Sequence, residues 1–210
     1  LGIPHSDWGF GGAGGIYHSN FDSYTFMEKF ADPSYRYHAA AARIGTAMMM
    51  RLANADVLPY DYVEFARTMR TYLAPIDRNL SAKGWSGSSA PLAAAIDRME
   101  RAAVAFGSAR DQALARGLSR AQQLATNGAL LKVERAMTRP EGLRTRPWYR
   151  NLIYVADVDN GYSNMVFPSV NEAIRYGDAA LFDRELSDLV MRFDAATAAI
   201  ESARVALGAR

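Results

Sequence analysis

The sequence predicts a mainly α-helical protein whose core is an antiparallel four-helix bundle preceded by a glycine-rich loop. Three observations point there. Long alanine-rich segments carry apolar residues at helical spacing, as in Leu92, Ile96, Met99, Ala103 and Phe106, which step by four and three as a bundle seam does. Helix-start and helix-stop residues fall between those segments, among them Asp61, the pair Gly117 and Ser119, and Gly208. Finally, 210 residues of which 50% are hydrophobic are enough to bury a sizeable core.

Taken in order, residues 1–22 read as loop, with six glycines between Gly2 and Gly15 and two of the three histidines. A helix is predicted over Ser23–Asp56, broken at Asp32-Pro33 because proline restricts the residue before it and has no amide to donate. Leu58-Pro59 is the expected stop. Asp61 with Glu64 resembles a capping box and opens a second helix, whose apolar positions Ala66, Met69, Leu73, Ile76 and Leu80 share a face and whose Pro75 should kink it. After the turn at residues 84–88 comes the seam helix, then a fourth from Ser119 to about Met137. Residues 138–169 contain three prolines, the apolar run Leu152-Ile153-Tyr154-Val155 and a loop rich in Asp, Asn and Gly, a long connection of the kind that often carries function. Ser169 and Glu172 read as a capping box for a short helix. A last helix from about Leu181 places Leu186, Leu189, Val190, Phe193, Ile200 and Leu207 on one face.

Composition excludes several classes of function. Lys+Arg 24 against Asp+Glu 22 leaves a charge of only +2, so neither a nucleic-acid partner nor a polybasic membrane surface is expected. With no cysteine there is no disulfide framework, thiolate zinc knuckle, iron–sulfur cluster or cysteine nucleophile, and the compartment stays open. No stretch is apolar for the roughly 18 residues a membrane span needs. The opening Leu1-Gly2-Ile3-Pro4 has neither initiator methionine nor leader pattern, and is expected to lie mid-protein.

Chemistry-bearing patterns are sparse. Residues Gly9 to Gly14 satisfy G-x-G-x-x-G, but no apolar strand precedes them and no helix follows at once, so the segment reads as a loop near a site rather than a dinucleotide cradle. His5, His18 and His38 are spaced too irregularly for a self-contained zinc site, and His18 taken alone reads as a hydrogen-bonded structural residue. Ser19, Ser23 and Asp22 near His18 make no triad by proximity in the chain alone. Tyr24, Phe26, Phe30, Tyr35 and Tyr37 read as packing between helix and loop, and Met48-Met49-Met50 as core filling.

Four segments then change the reading: YHSNFDSY at 17–24, KVERAM at 132–137, RPWYRNLIYV at 146–155 and GYSNMVFP at 161–168. In order and spacing they resemble the C-terminal part of the glutamate carboxypeptidase II and transferrin receptor family, which couples a zinc-peptidase-like domain to a helical dimerisation domain. The resemblance implies that residues 1–56 are the end of the peptidase-like domain and residues 57–210 the dimerisation domain. It makes His18 a ligand to one zinc of a dinuclear pair, Tyr17 a donor to the oxyanion, and Tyr162 a contact to the substrate carboxylate. Gly161 stands where glutamate-specific members carry a lysine, which removes the side chain that would select glutamate. The other zinc ligands and the general base lie upstream in the family. The implied protein is therefore a homodimeric zinc exopeptidase acting on peptides, of which these 210 residues alone are inactive. The alternatives are a receptor-like or scaffolding dimerisation module without catalysis, and a stand-alone helical bundle.

Overall fold

The computed structural model describes residues 2–11 and 15–208, which divide into two compact units, one within residues 5–55 and one of residues 2–4 with 56–208. The mainly helical fold class holds: helices dominate, and the only strands among the described residues form one short hairpin.

In the smaller unit, the Ser23 hydroxyl accepts from the Phe26 amide at 3.3 Å and starts α1 (Tyr24–Phe26), which widens into a π-helical turn over Met27–Ala31. The chain breaks at Asp32-Pro33 and resumes as α2 (Arg36–Ala53). It ends there rather than at Leu58-Pro59, because the Asn54 backbone and side-chain amides both take up the Met50 carbonyl. No residue of α2 is buried. Met49 and Met50 are exposed, so the methionine run does not fill a core; Tyr24, Phe30 and Tyr37 are exposed as well, although Tyr37 packs edge-on against Phe10 of the loop with ring centroids 5.5 Å apart. One long helix and a loop enclose too little volume to cover them.

The larger unit holds α3 (Tyr62–Thr71), α4 (Leu73–Ala82), α5 (Ala90–Arg116), α6 (Arg120–Ala136), the hairpin β1 (Tyr154–Ala156) and β2 (Asn164–Val166), α7 (Pro168–Tyr176) and α8 (Ala179–Ala206). Pro75 does more than kink its helix. Lacking an amide, it cannot continue the hydrogen-bond ladder back to Thr71, and the predicted single helix is divided at Tyr72 into α3 and α4. Helix α8 packs against α5, α6 and α7, while α3 packs on α5. The predicted faces are the ones that meet. Ala66, Met69, Leu73, Ile76 and Leu80, the seam of α5, and Leu186, Leu189, Phe193, Ile200 and Leu207 are all buried, with Val190 packed partly against them.

Ser119 opens α6 through a reciprocal capping box with Gln122. Ser169 and Glu172 form none. Pro168, whose fixed φ suits the first helical position, starts α7 after Phe167, leaving Ser169 inside the helix with its hydroxyl unpartnered among the described residues. Glu172 is fully buried and accepts instead from Thr145 and Arg146.

In the hairpin, Tyr154 faces Val166, Val155 faces Met165 and Ala156 faces Asn164, antiparallel. The apolar run of 152–155 thus enters a strand, and the polar loop of 157–163 closes it.

Candidate functional site

The expected site residues fall in both units. In the smaller, residues 16–22 form successive turns: the Ser19 amide donates to the Ile16 carbonyl at 2.9 Å, the Asp22 amide to the Ser19 carbonyl at 3.0 Å, and the Phe21 amide to the Ser19 hydroxyl at 3.1 Å. His18 adopts φ +59, a left-handed conformation in which histidine is several-fold enriched among non-glycine residues. Its amide donates to the Asp22 carboxylate at 3.4 Å, and its ring stacks on Tyr17 with centroids 3.9 Å apart and planes 20° apart. Both rings are exposed. The turn therefore spends Ser19 and Asp22 on the backbone, since the Ser19 hydroxyl donates to the Ile16 carbonyl at 2.7 Å.

Among the described residues no three His, Cys, Asp or Glu side chains gather where a metal ion could be held. Zinc takes three or four protein ligands. His18 offers a single imidazole, so the donor set within this chain does not fit a complete zinc site.

His38 is held differently. Its backbone amide and ring Nδ1 both meet the Asp32 Oδ2, at 3.0 and 2.7 Å. Burial pushes the Asp32 carboxyl up, but the bonds from His38 and the Arg36 amide outweigh it and leave the group below the ordinary aspartate range. The nearby hydroxyls of Tyr35 and Tyr24 are 3.0 Å apart, and that bond pushes Tyr35 up to about 12. Of the glycine pattern, Gly12, Ala13 and Gly14 lie outside the described residues. A side chain at Gly9 or Gly11 would meet nothing within 4 Å. The close approach is at Gly45, where a Cβ would come within 2.7 Å of the Trp8 ring; this glycine lets the loop residue lie on α2, and nothing in the sequence pattern marked the pair.

In the larger unit, Gly161 and Tyr162 sit at the tip of the hairpin loop. Tyr162 is 83% exposed, and a Cβ at Gly161 would meet nothing within 4 Å. The loop is wired from inside: the Asp157 amide donates to the Ser163 carbonyl at 2.8 Å, the Asp159 amide to Asp157 Oδ1 at 2.8 Å, and the Tyr162 amide to Asn160 Oδ1 at 3.1 Å. The Arg175 guanidinium on α7 faces Asp157 with both terminal nitrogens, at 3.1 and 3.0 Å, and reaches Asp159 at 2.8 Å. Those bonds, with the amide of Asp159, hold the Asp157 carboxyl down at about 2. Arg146 supports the base of the loop. It pairs with buried Glu172, donates to the Ala156 carbonyl at 2.9 Å and lies 4.8 Å from the centre of the Tyr149 ring. The sequence marks neither arginine, because their carboxylate partners lie 16 to 26 positions away.

Residues 88–201 match the transferrin receptor-like dimerisation domain. The chain belongs to that family. Among other members of the transferrin receptor-like family, a probable glutamate carboxypeptidase of Arabidopsis thaliana is 32% identical over 174 residues, covering 83% of this chain and 25% of that protein. A probable glutamate carboxypeptidase of Zea mays is 30% identical over 189 residues, covering 88% of this chain and 26% of its own length. An aminopeptidase of Rattus norvegicus is 27% identical over 195 residues, covering 88% of this chain and 26% of that protein. The chain thus spans about a quarter of the length of the relatives it matches. No helix among the described residues is long and apolar enough to cross a membrane.

Proposed function

We propose that the chain is the C-terminal portion of a zinc-dependent exopeptidase of the glutamate carboxypeptidase type, in which residues 57–210 serve homodimerisation and residues 1–56 complete the peptidase-like domain. The observation that carries this reading is the reach of the similarity. Matches covering 83–88% of the chain are longer than the 88–201 segment, so they take in sequence ahead of the dimerisation domain, and the proteins matched are named as peptidases.

His18 is the one zinc ligand the chain contributes, and the remaining ligands and the general base come from the preceding part of the polypeptide. Tyr17 and His18 act as a unit, a role supported by their stacked rings on an exposed turn. The Tyr17 hydroxyl donates to the oxygen on which charge develops, and preorganised donors of this kind are among the strongest contributors to acyl-transfer catalysis. The Tyr162 hydroxyl donates to the substrate carboxylate. Gly161 beside it presents no group to the substrate's side chain.

In the full-length protein, His18→Ala should abolish peptide hydrolysis while sedimentation still shows a dimer. Unchanged turnover would remove His18 from the metal site. The 210-residue chain by itself should neither hydrolyse peptides nor retain two zinc ions per chain. A full-length protein that dimerises but cleaves no peptide with zinc supplied would establish the receptor-like alternative.

A further inference from the structure

The Tyr162 side chain is exposed at the tip of its loop, and the backbone beneath it sets where the residue can reach. That backbone belongs to a seven-residue loop whose hydrogen bonds converge on one cation. The Asp157 amide and the Ser163 carbonyl close the mouth of the loop. Nearer the tip, the Asn160 side chain holds the Tyr162 amide at 3.1 Å and the Ser163 hydroxyl at 2.8 Å, and the Ser163 amide returns to the Asn160 carbonyl at 2.9 Å. Asp159 then links tip to base through its amide on Asp157 Oδ1. Outside the loop, both carboxylates are gripped by the same guanidinium on α7.

We propose that Arg175 is a positioning residue for the substrate site: by bridging Asp157 and Asp159 it fixes the loop of residues 157–163 so that Tyr162 is held where it meets the substrate carboxylate. The proposal rests on the reading of Tyr162 given above.

Arginine suits this task because its planar fork fixes direction as well as charge. A lysine ammonium supplies a point charge on a flexible stem and cannot face one carboxylate with two nitrogens in a plane. The helix that carries the fork is itself immobilised. Glu172, one turn before Arg175 on α7, is fully buried and paired with Arg146, which also grips the Ala156 carbonyl immediately before the loop. Helix and strand end are thus joined at two successive points, one buried and one at the surface. Because Asp157 stays ionised down to about pH 2, the surface joint is charged across any ordinary working pH.

A surface ion pair contributes little to global stability, which separates positioning from a merely structural role. In the full-length protein, Arg175→Met should raise KM for a peptide substrate about tenfold, change kcat less than about twofold and leave the thermal midpoint within about 2 °C of the starting protein. Hydrogen exchange of the amides in 157–163 should quicken about tenfold, and Arg175→Lys should recover part of both losses. Since Arg175 acts through Tyr162, the double variant Arg175→Met with Tyr162→Phe should bind substrate no worse than Tyr162→Phe alone. Unchanged KM and exchange in Arg175→Met, fully additive losses in the double variant, or a KM loss that tracks a fall in melting temperature would each overturn the proposal. An unchanged KM in Tyr162→Phe overturns instead the role of Tyr162 on which it rests, and loosened exchange in Arg175→Met would then leave Arg175 a structural clamp only.

Discussion

Tyr162 and Gly161 occupy a tip with no basic side chain in the seven residues of the loop, while the neighbouring Arg175 is committed to two carboxylates. Gly161→Lys should therefore add the missing cation without a clash, because a Cβ there meets nothing. A charge-assisted hydrogen bond at a solvent-exposed tip should improve the preference for a C-terminal glutamate about tenfold, read as the ratio of kcat/KM for glutamate and leucine peptides. The loop also has a predictable acid limit. The bonds from Arg175 lower Asp157 from 3.8 to about 2, so its contribution is present above the ordinary value and is lost as pH falls through about 2. Amide exchange protection in 157–163 should persist at pH 4 and decay between pH 3 and 2, measured by native exchange. At this scale the sequence was legible where a residue acts alone. Tyr162, Gly161 and His18 could be singled out through the family resemblance, whereas Arg175 and Arg146 mean something only beside partners that folding delivers.

Two similar start signals show why elements are harder to read than residues. Ser119 with Gln122 and Ser169 with Glu172 have the same spacing, and only the first becomes a capping box. The difference lies one residue upstream and 26 residues upstream. Pro168 sets the start of α7 before Ser169 can act as cap, and Arg146 claims Glu172 for the interior. The first fact is local and could be read; the second is a tertiary pairing that no window of sequence displays. Ser119→Ala should accordingly destabilise the chain by about 1 kcal/mol, visible as a lowered urea midpoint with unchanged slope. Ser169→Ala removes no cap and takes away a buried unpaired hydroxyl, so that midpoint should hold or rise. The apolar faces of α3, α4, α5 and α8 were legible in detail because burial selects their period directly, while the division at Tyr72 shows proline acting a turn before its own position.

At the scale of the whole chain, the two units differ in how they are covered. The larger has a continuous core running from Val57 to Leu207. The smaller leaves Trp8, Phe10, Tyr17, Phe21, Phe30, Met49 and Met50 in contact with solvent, and its main helix buries nothing. Elements with few buried contacts open at low free energy. Limited proteolysis of the isolated chain should therefore remove residues up to about position 55 first and leave a resistant core of helices α3 to α8, identified by mass and N-terminal sequence. In the full-length protein the same segment should resist, since the proposed peptidase-like domain covers it.

The hairpin loop is secured at its base and open at its tip, and this separates two properties that most sites tie together. Asp157, Asp159 and Arg175 keep the loop in register, yet none of them is the residue nearest the substrate's side chain in the proposed site. Position 161, with free space around it, can be exchanged without touching the fold. A lineage carrying this scaffold is thus free to change its diet one mutation at a time, with no intermediate that must first survive a loss of structure.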